Sequence, residues 1–202
     1  MDVSTQSEVQ LNPVKFECCT VQFATLLNHI QISNHACDFF QSQMGFQMIL
    51  RALQTCREKN GTVYLVGNGG SAAIASHAVI DFLNMAKMRA SALLNPAVTT
   101  CISNDYGYEF IYSKQLATFL TNKDVLIAIS SSGNSKNIIN ATQVAHEKDA
   151  CVVTLSGFSE NNSLRKTGNY NIWLDSKDYG QVEIGHAFIL HYFTDCLREC
   201  VV

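Results

Sequence analysis

Two strand–turn–helix patterns constrain the fold of this chain more than any other feature. In each, a short apolar run is followed by a turn containing glycine and serine and then by a helix-forming stretch. The first run is 62–66 with the turn 67–71, and the second is 124–129 with the turn 130–135. Apolar runs of this length are typical of parallel strands covered on both faces. The two strand–turn–helix units therefore predict two strands of one parallel sheet.

The rest of the chain alternates the same two patterns. Strands are predicted near 62–66, 97–102, 125–130, 150–155 and 170–174. From about Val14 to Lys59, apolar residues recur at spacings of three and four, which predicts two helices with a break near Ser33 and Asn34. The alternation predicts an α/β fold, a single doubly wound parallel sheet flanked by helices. We expect 14–202 to form one domain and the polar segment 1–13 to be poorly ordered.

Size and charge exclude several classes of function. The 202 residues suffice for one well-buried domain. A net charge of −3 provides no basic surface, so the composition does not support nucleic-acid binding. No apolar run reaches the ~18 residues of a membrane-spanning helix, and we expect neither a membrane contact nor an export signal. With 47% hydrophobic and 15% charged residues, the chain is expected to have buried subunit interfaces.

Eight cysteines raise the question of disulfides or a metal site. They stand at positions 18, 19, 37, 56, 101, 151, 196 and 200. No two of them have the C-x-x-C spacing of a metal or redox pair, and most lie within apolar runs. We therefore expect reduced, buried thiols in a cytoplasmic protein.

The two turns have the composition of an anion-binding site. A turn between a parallel strand and a helix directs backbone N–H groups at whatever lies above it, and the helix dipole favours a negative charge there. The turns contribute serine hydroxyls at 71, 130, 132 and 135. These hydroxyls add hydrogen-bond donors without adding charge. The alternative is that both are ordinary turns that only cap their helices. Because a turn rich in glycine and serine follows each of two predicted strands, the sequence favours a bound phosphate.

Gly67, Gly69 and Ala72 also match the dinucleotide-binding pattern G-x-G-x-x-A. That pattern is completed by an acidic residue about 20 positions further on, at the end of the next strand, which binds the ribose. No such residue is evident here. The sequence therefore favours a sugar phosphate as the ligand and predicts no nucleotide cofactor.

Four titratable side chains have spacings that place them on shared helix faces. His77 and Asp81 are four residues apart in the helix after the first turn, and Glu183 and His191 are eight apart in the C-terminal helix. Such groups serve in acid–base catalysis and also ligate zinc. Because Glu183 and His191 are ~12 Å apart along the axis, both reach one ion only by leaning together. A solvated helix face with His186 packed inside is the third interpretation.

Three motifs and the C-terminal helix resemble those of the sugar isomerase (SIS) domain superfamily. The motifs are Gly67–Ser71, Asn104–Glu109 and Ser130–Ser135, followed by Glu183, His186 and His191. Within the superfamily, the chain from about Ile32 onward is most similar to the phosphoheptose isomerases. The resemblance implies a flavodoxin-like three-layer sandwich and a homotetramer with active sites at subunit interfaces. It also implies isomerisation of sedoheptulose 7-phosphate to glycero-manno-heptose 7-phosphate through an enediol, the first step of bacterial heptose synthesis.

The resemblance also assigns roles to individual residues. Asp81 matches the family's catalytic glutamate and would act as the base, and His191 matches its catalytic histidine and would act as the acid. The residues that match a zinc site are His77, Asp81, Glu183 and His191. Those that would bind substrate are Asn68, Gly69, Ser71, Asp105, Ser130, Ser132, Ser135 and Glu183. Because aspartate replaces glutamate at 81 and glutamate replaces glutamine at 183, a non-catalytic module that binds a sugar phosphate or a protein partner is the alternative function.

Overall fold

The computed structural model describes residues 15–199. The segment 1–13, expected to be poorly ordered, therefore lies outside the described residues. The α-helices are α1 (Phe16–Asn28), α2 (Ser42–Glu58), α3 (Gly70–Asn84), α4 (Pro96–Tyr106), α5 (Ser113–Phe119), α6 (Lys136–Glu147) and α7 (Tyr179–Glu199). The strands are β1 (Gln31–Ser33), β2 (Phe39–Phe40), β3 (Thr62–Val66), β4 (Arg89–Ser91), β5 (Val125–Ser130), β6 (Cys151–Ser156) and β7 (Tyr170–Trp173). Short 3₁₀ helices span Tyr108–Phe110 and Leu164–Lys166.

These strands form one sheet in the order β2-β1-β7-β6-β5-β3-β4. Strands β3 to β7 run parallel to one another, whereas β1 is antiparallel to both β2 and β7. The predicted α/β sheet flanked by helices is confirmed, but it is mixed rather than parallel throughout. The β1–β2 hairpin lies at the break between the two predicted N-terminal helices. Its strands, of three and two residues, are too short to give a recognisable hydrophobic pattern.

The central strand β5 explains why the predicted strands are apolar at every position. All six of its residues are buried. Val125, Ile127 and Ile129 belong to the core on one face of the sheet, and Leu126 and Ala128 belong to the core on the other. Residues of α1, α2, α3 and α7 complete the first core, and residues of α5 and α6 complete the second. Since successive side chains of a strand point to opposite faces, burial on both sides requires an unbroken apolar run.

The strand predicted at 97–102 is wrong, because these residues lie in α4. The helix begins at Pro96, and the side chain of the N-cap residue Asn95 accepts hydrogen bonds from two backbone N–H groups of the first turn. Proline suits the first helical position because its fixed φ matches the helix and its missing N–H would have no partner there. The strand that follows α3 is instead the three-residue β4.

The strand order creates a crevice between β3 and β5. From β3 the chain proceeds to β4 on one side, and from β5 it proceeds to β6 and β7 on the other. Doubly wound sheets bind their ligands at such a reversal, outside the carboxyl ends of the strands. The turns 67–71 and 130–135 follow the carboxyl ends of these two strands. The fold therefore brings both predicted anion-binding turns to one crevice.

Two helices, α1 and α4, bury few of their side chains against the rest of the chain. Helix α4 has no buried residue, and α1 buries only Leu26.

Of the seven described cysteines, all of which are free thiols, Cys18, Cys19, Cys37 and Cys101 are exposed. The prediction of buried thiols is wrong for these four, because three of them belong to α1 and α4 and the fourth lies in the β1–β2 turn. Within 15–199, no helix is both long and apolar enough to cross a membrane.

Candidate active site

Two helices begin at the crevice without a side-chain cap. Helix α3 follows Gly69, which has a φ of +54° and no side chain, and α6 follows Ser135, whose side chain makes no capping hydrogen bond. The first N–H groups of a helix have no partner within the helix, and together with the helix dipole they favour an anion. The structure therefore provides two anion-favouring helix ends at one place.

These helix ends border a cleft of about 260 Å³, which we call the anion cleft. The cleft contains every residue predicted to bind substrate except Asp105, namely Asn68, Gly69, Ser71, Ser130, Ser132, Ser135 and Glu183. It is also lined by Gly70, Ile129, Ser131 and Tyr179. The lining contains neither lysine nor arginine, so hydroxyl and backbone donors would have to bind an anion here.

The second turn arranges its hydroxyls by internal hydrogen bonds. Ser130 Oγ lies 3.3 Å from Ser135 Oγ and accepts a hydrogen bond from the Gly133 N–H at 3.2 Å. The buried Ser131 Oγ has no hydrogen-bond partner among the described residues. A buried hydroxyl without a partner costs free energy, and Ser131 belongs to the lining of the cleft. Ser131 is not among the predicted substrate-binding residues, although it belongs to the same run of hydroxyls.

Asn68 links the two turns as well as lining the cleft. Its Nδ2 donates to Asn137 Oδ1 at 2.9 Å, and its Oδ1 accepts from Asn137 Nδ2 at 2.8 Å, so the two amides form a reciprocal pair. The Tyr108 hydroxyl also donates to Asn68 Oδ1, at 2.9 Å. Asn137 lies in the first turn of α6, directly after the second anion turn. The side chain of Asn68 therefore fixes the spacing of the two turns.

The first turn is tightly closed around Gly67. The hydroxyl of Tyr112 donates to the Gly67 carbonyl oxygen, and burial raises the pKa of Tyr112 to about 12, so the hydroxyl keeps its proton. A Cβ on Gly67 would lie only 2.6 Å from the backbone carbonyl carbon and oxygen of Ser71. Glycine is therefore required at 67 because the turn folds back onto its own backbone.

A second group of functional side chains lies between α3 and α7. It consists of His77, Asp81 and His191 and is called the acid–base group. His191 Nδ1 is 3.2 Å and His77 Nε2 is 3.6 Å from the same oxygen, Asp81 Oδ2. The two imidazole rings meet edge to face, with their centroids 5.3 Å apart. The side chain of Asp81 is 17% exposed and that of His191 is 48% exposed, so a substrate can reach both. One ligand atom from each residue lies within 4.8 Å of the other two, a donor set that suits a divalent metal.

Glu183 is not part of this group, so the predicted four-residue zinc site has three members here. Eight helical residues separate Glu183 from His191, ~12 Å along the axis, and Glu183 instead lines the anion cleft. Its carboxylate packs against Gly70, where a Cβ would overlap both carboxylate oxygens. The position is favourable because N–H groups at a helix N-terminus stabilise a carboxylate.

Asp105 is not placed in the cleft. It is exposed near the end of α4, where its carboxylate accepts hydrogen bonds from Asn104 Nδ2 at 2.9 Å and from Cys101 Sγ at 3.4 Å. Tyr108, three residues later, is the member of this motif that reaches the first turn. Within one chain, the motif therefore supports the cleft through its tyrosine rather than through Asp105.

His186, the middle residue of the C-terminal motif, is fully buried. Its Nε2 donates to the carbonyl oxygen of Ser156 at 3.3 Å, at the carboxyl end of β6. Burial lowers the pKa of His186 to about 4, so the imidazole is neutral near pH 7. His186 therefore packs α7 against the sheet and does not belong to the acid–base group.

Known sequences share this combination of elements. The SIS domain family matches residues 40–157, more than half of the chain. A phosphoheptose isomerase of Campylobacter jejuni is 35% identical over 150 residues, which are 71% of this chain and 80% of that protein. One of Helicobacter pylori is 31% identical over 148 residues, 70% of this chain and 77% of that protein.

Solved structures show the same architecture. A phosphoheptose isomerase from Francisella tularensis superposes with a TM-score of 0.79 at 26% identity, covering 91% of this chain and 95% of that one. The enzyme from Neisseria gonorrhoeae superposes with a TM-score of 0.72 at 27% identity, covering 90% and 98%. The fold, the serine-lined cleft and the sequence matches agree: this chain belongs to the SIS domain family and is similar to its phosphoheptose isomerases.

Proposed function

We propose that this chain is an aldose–ketose isomerase that converts sedoheptulose 7-phosphate to glycero-manno-heptose 7-phosphate. The arrangement of two sites along α3 and α7 carries this proposal. Ser71 and Glu183 line the anion cleft. Asp81 and His191 of the acid–base group lie further along the same two helices. The separation, ~12 Å between Glu183 and His191 along the axis, suits an extended sugar with its phosphate at one end and its carbonyl at the other.

The reaction requires a base, an acid and a fixed substrate. A proton leaves C1 while the C2 carbonyl oxygen gains one, which gives an enediol; C2 then gains a proton as the C1 hydroxyl loses its own, which leaves an aldehyde at C1. The Asp81 carboxylate takes the C1 proton and then returns it to C2, and His191, neutral after its own donation, takes the proton of the C1 hydroxyl. Protonated His191, whose Nδ1 is 3.2 Å from Asp81, donates to the C2 oxygen. The serine hydroxyls hold the phosphate far from the reacting carbons, so that C1 and C2 stay in place.

The acid–base group also fits a divalent metal such as zinc. His77, Asp81 and His191 would hold it, since imidazole nitrogen and carboxylate oxygen are zinc ligands. When bound, the metal would supply Lewis-acid polarisation of the substrate carbonyl in place of proton donation by His191, because histidine ligates a metal only as neutral imidazole. His77 has no proton-transfer role in this mechanism, and a metal accounts for its convergence on Asp81 Oδ2.

Incubation of the purified protein with sedoheptulose 7-phosphate tests the proposal. We expect NMR to show an aldose 7-phosphate accumulating at the expense of the ketose, with and without added zinc. Fructose 6-phosphate, which lacks one hydroxymethylene unit, is the matched control for chain length. Binding of sedoheptulose 7-phosphate without any conversion would refute the enzyme and favour the non-catalytic module.

We also propose that copies of this chain cover the acid–base group, as in a homotetramer with active sites at subunit interfaces. Large apolar side chains flank the group without a partner within the described chain: Ile80 and Leu83 on α3 are 46% and 44% exposed, and Ile184 and Phe188 on α7 are 60% and 54% exposed. Burial of such side chains is worth about 1.5–3 kcal/mol each.

The free cysteines support the expected cytoplasmic location, where thiols stay reduced.

Light scattering on the purified protein is expected to give the mass of a tetramer at micromolar concentration. Phe188→Asp should shift the mass toward smaller species, because it places a charge on the apolar face of α7 beside His191. Lys87→Asp, which changes an exposed residue that belongs to neither α3 nor α7, is the control. A wild-type monomer at this concentration would contradict the proposed assembly.

A further inference from the structure

The anion turn 130–135 is supported from one side by the segment 157–165. Three hydrogen bonds join them: the Gly157 N–H donates to the Ser131 carbonyl oxygen at 3.0 Å, the Leu164 N–H to the Gly133 carbonyl oxygen at 2.8 Å, and the Ser163 N–H to Asn134 Oδ1 at 3.1 Å. The conformation of the turn therefore depends on a segment that does not itself line the cleft.

Asn162 is the residue that fixes this segment. Its side chain is buried, and its Nδ2 lies within hydrogen-bonding distance of the Ser159 carbonyl oxygen at 2.8 Å, and of the Gly157 carbonyl oxygen and Ser156 Oγ at 3.2 Å each. Its Oδ1 accepts a hydrogen bond from the Arg165 N–H at 3.0 Å. With both ends of the amide engaged, the side chain has a single orientation.

That orientation places Asn162 directly against Gly133 of the turn. Gly133 has a φ of +65°, and a Cβ built on it would overlap both Oδ1 and Cγ of Asn162. The Gly133 N–H donates to Ser130 Oγ, which in turn contacts Ser135 Oγ. The amide of Asn162 therefore sets the position of Gly133, and Gly133 orients the hydroxyls of the cleft.

We propose that Asn162 is a positioning residue for the anion cleft, acting through Gly133 on the hydroxyls of Ser130 and Ser135. The identity of the anion as a sugar phosphate rests on the proposed function, whereas the positioning itself concerns any phosphate bound in the cleft. Asn162 touches neither the ligand nor the acid–base group in this account. Its loss should therefore weaken phosphate binding and raise KM while changing kcat much less.

The matched control is Asn171, a second buried asparagine of the same region. Its side chain also makes four hydrogen bonds, with Thr154 Oγ1, the Gly168 N–H, and the carbonyl oxygens of Gly168 and Ser33. None of these partners belongs to the anion turn. Asn171→Ala thus removes a comparable buried network, and lowers stability for comparable reasons, without touching the cleft.

The experiment measures the affinity for inorganic phosphate and for sedoheptulose 7-phosphate by calorimetry, together with KM and kcat. We expect Asn162→Ala to weaken both affinities and raise KM about tenfold or more, since the loss of one hydrogen bond to a charged ligand costs ~10-fold or more in affinity. Asn171→Ala should bind both ligands as the wild type does. Asn162→Ser, which keeps a hydroxyl able to donate to one carbonyl, should lie between Asn162→Ala and the wild type.

Wild-type affinity in Asn162→Ala, or an equal loss in Asn162→Ala and Asn171→Ala, would overturn the proposal. If Asn162→Ala does not fold, the comparison of Asn162→Ser with Asn171→Ala decides by the same criterion. A wild type that binds phosphate without converting sedoheptulose 7-phosphate would refute the proposed function and leave the affinity test of Asn162 intact. A wild type that binds neither ligand would refute both.

Discussion

The Asp81→Asn variant is expected to lower kcat for sedoheptulose 7-phosphate about a thousandfold, within the ~10²–10⁴-fold range of general acid–base catalysis. The substitution preserves the size of the side chain but removes the carboxylate that both histidines face. Sugar-phosphate affinity should change little, because the serine cleft lies at the start of α3 and Asp81 lies near its end. Steady-state kinetics and calorimetry on the same preparation measure the two quantities separately.

His191→Asn is expected to show a comparable loss, because it removes the acid of the same pair. Asp195→Asn is the matched control for Asp81→Asn, because it makes the same aspartate-to-asparagine change outside the acid–base group. Asp195 lies on α7 and pairs with Arg198 at 3.7 Å. That variant should turn over like the wild type. Full activity in Asp81→Asn or His191→Asn would exclude that residue from the mechanism.

Gly67→Ala is expected to raise the Kd for sugar phosphate about a hundredfold, because the first turn cannot close around the added methyl group and loses hydrogen bonds to the phosphate, each worth about 1.5–3 kcal/mol. The new Cβ would lie 2.6 Å from the backbone of Ser71, and the Tyr112 hydroxyl holds the Gly67 carbonyl in place from the other side. Overpacking of this kind also lowers the free energy of unfolding by about 1–3 kcal/mol. Calorimetry and thermal unfolding measure the two effects.

Gly69→Ala separates steric overlap from backbone strain. Gly69 has a φ of +54°, but no atom lies within 4 Å of a Cβ built there. The variant has no steric overlap and carries only the strain of its backbone conformation, φ +54° with ψ −123°, which lies outside the regions allowed to other residues and costs about 1–3 kcal/mol. It should therefore keep more of its affinity than Gly67→Ala. An affinity in Gly67→Ala equal to or better than that in Gly69→Ala would contradict the close approach to Ser71 as the reason for the glycine at 67.

The sheet was predictable from sequence where burial on both faces leaves a run of apolar residues. β3, β5 and β6 are such strands. β4 has three residues and is only partly buried, so it lacks that pattern, and the apolar residues 97–102 were mistaken for it. The correct assignment was accessible, because asparagine followed by proline before an apolar stretch marks the start of a helix.

The candidate site was predictable where its residues are close in sequence. The glycine–serine turns and the four-residue spacing of His77 and Asp81 are local patterns, and the structure places both as expected. Asn137, Tyr112 and Asn162 escaped notice, because each acts through a contact with a residue at least 29 positions away. Such contacts depend on the order of the strands, which no local pattern contains.

The central claim is that the acid–base group moves a proton on a sugar whose phosphate is held in the serine cleft. Its most direct test is conversion of sedoheptulose 7-phosphate by the wild type in D₂O, followed by NMR. Asp81 takes the C1 proton and returns it to C2, so exchange of that proton with the medium before its return places deuterium at C2. The account predicts an aldose 7-phosphate, with any exchanged deuterium at C2, formed by the wild type and not by Asp81→Asn. Unchanged sedoheptulose 7-phosphate with zinc present, or undiminished conversion by Asp81→Asn, would contradict it.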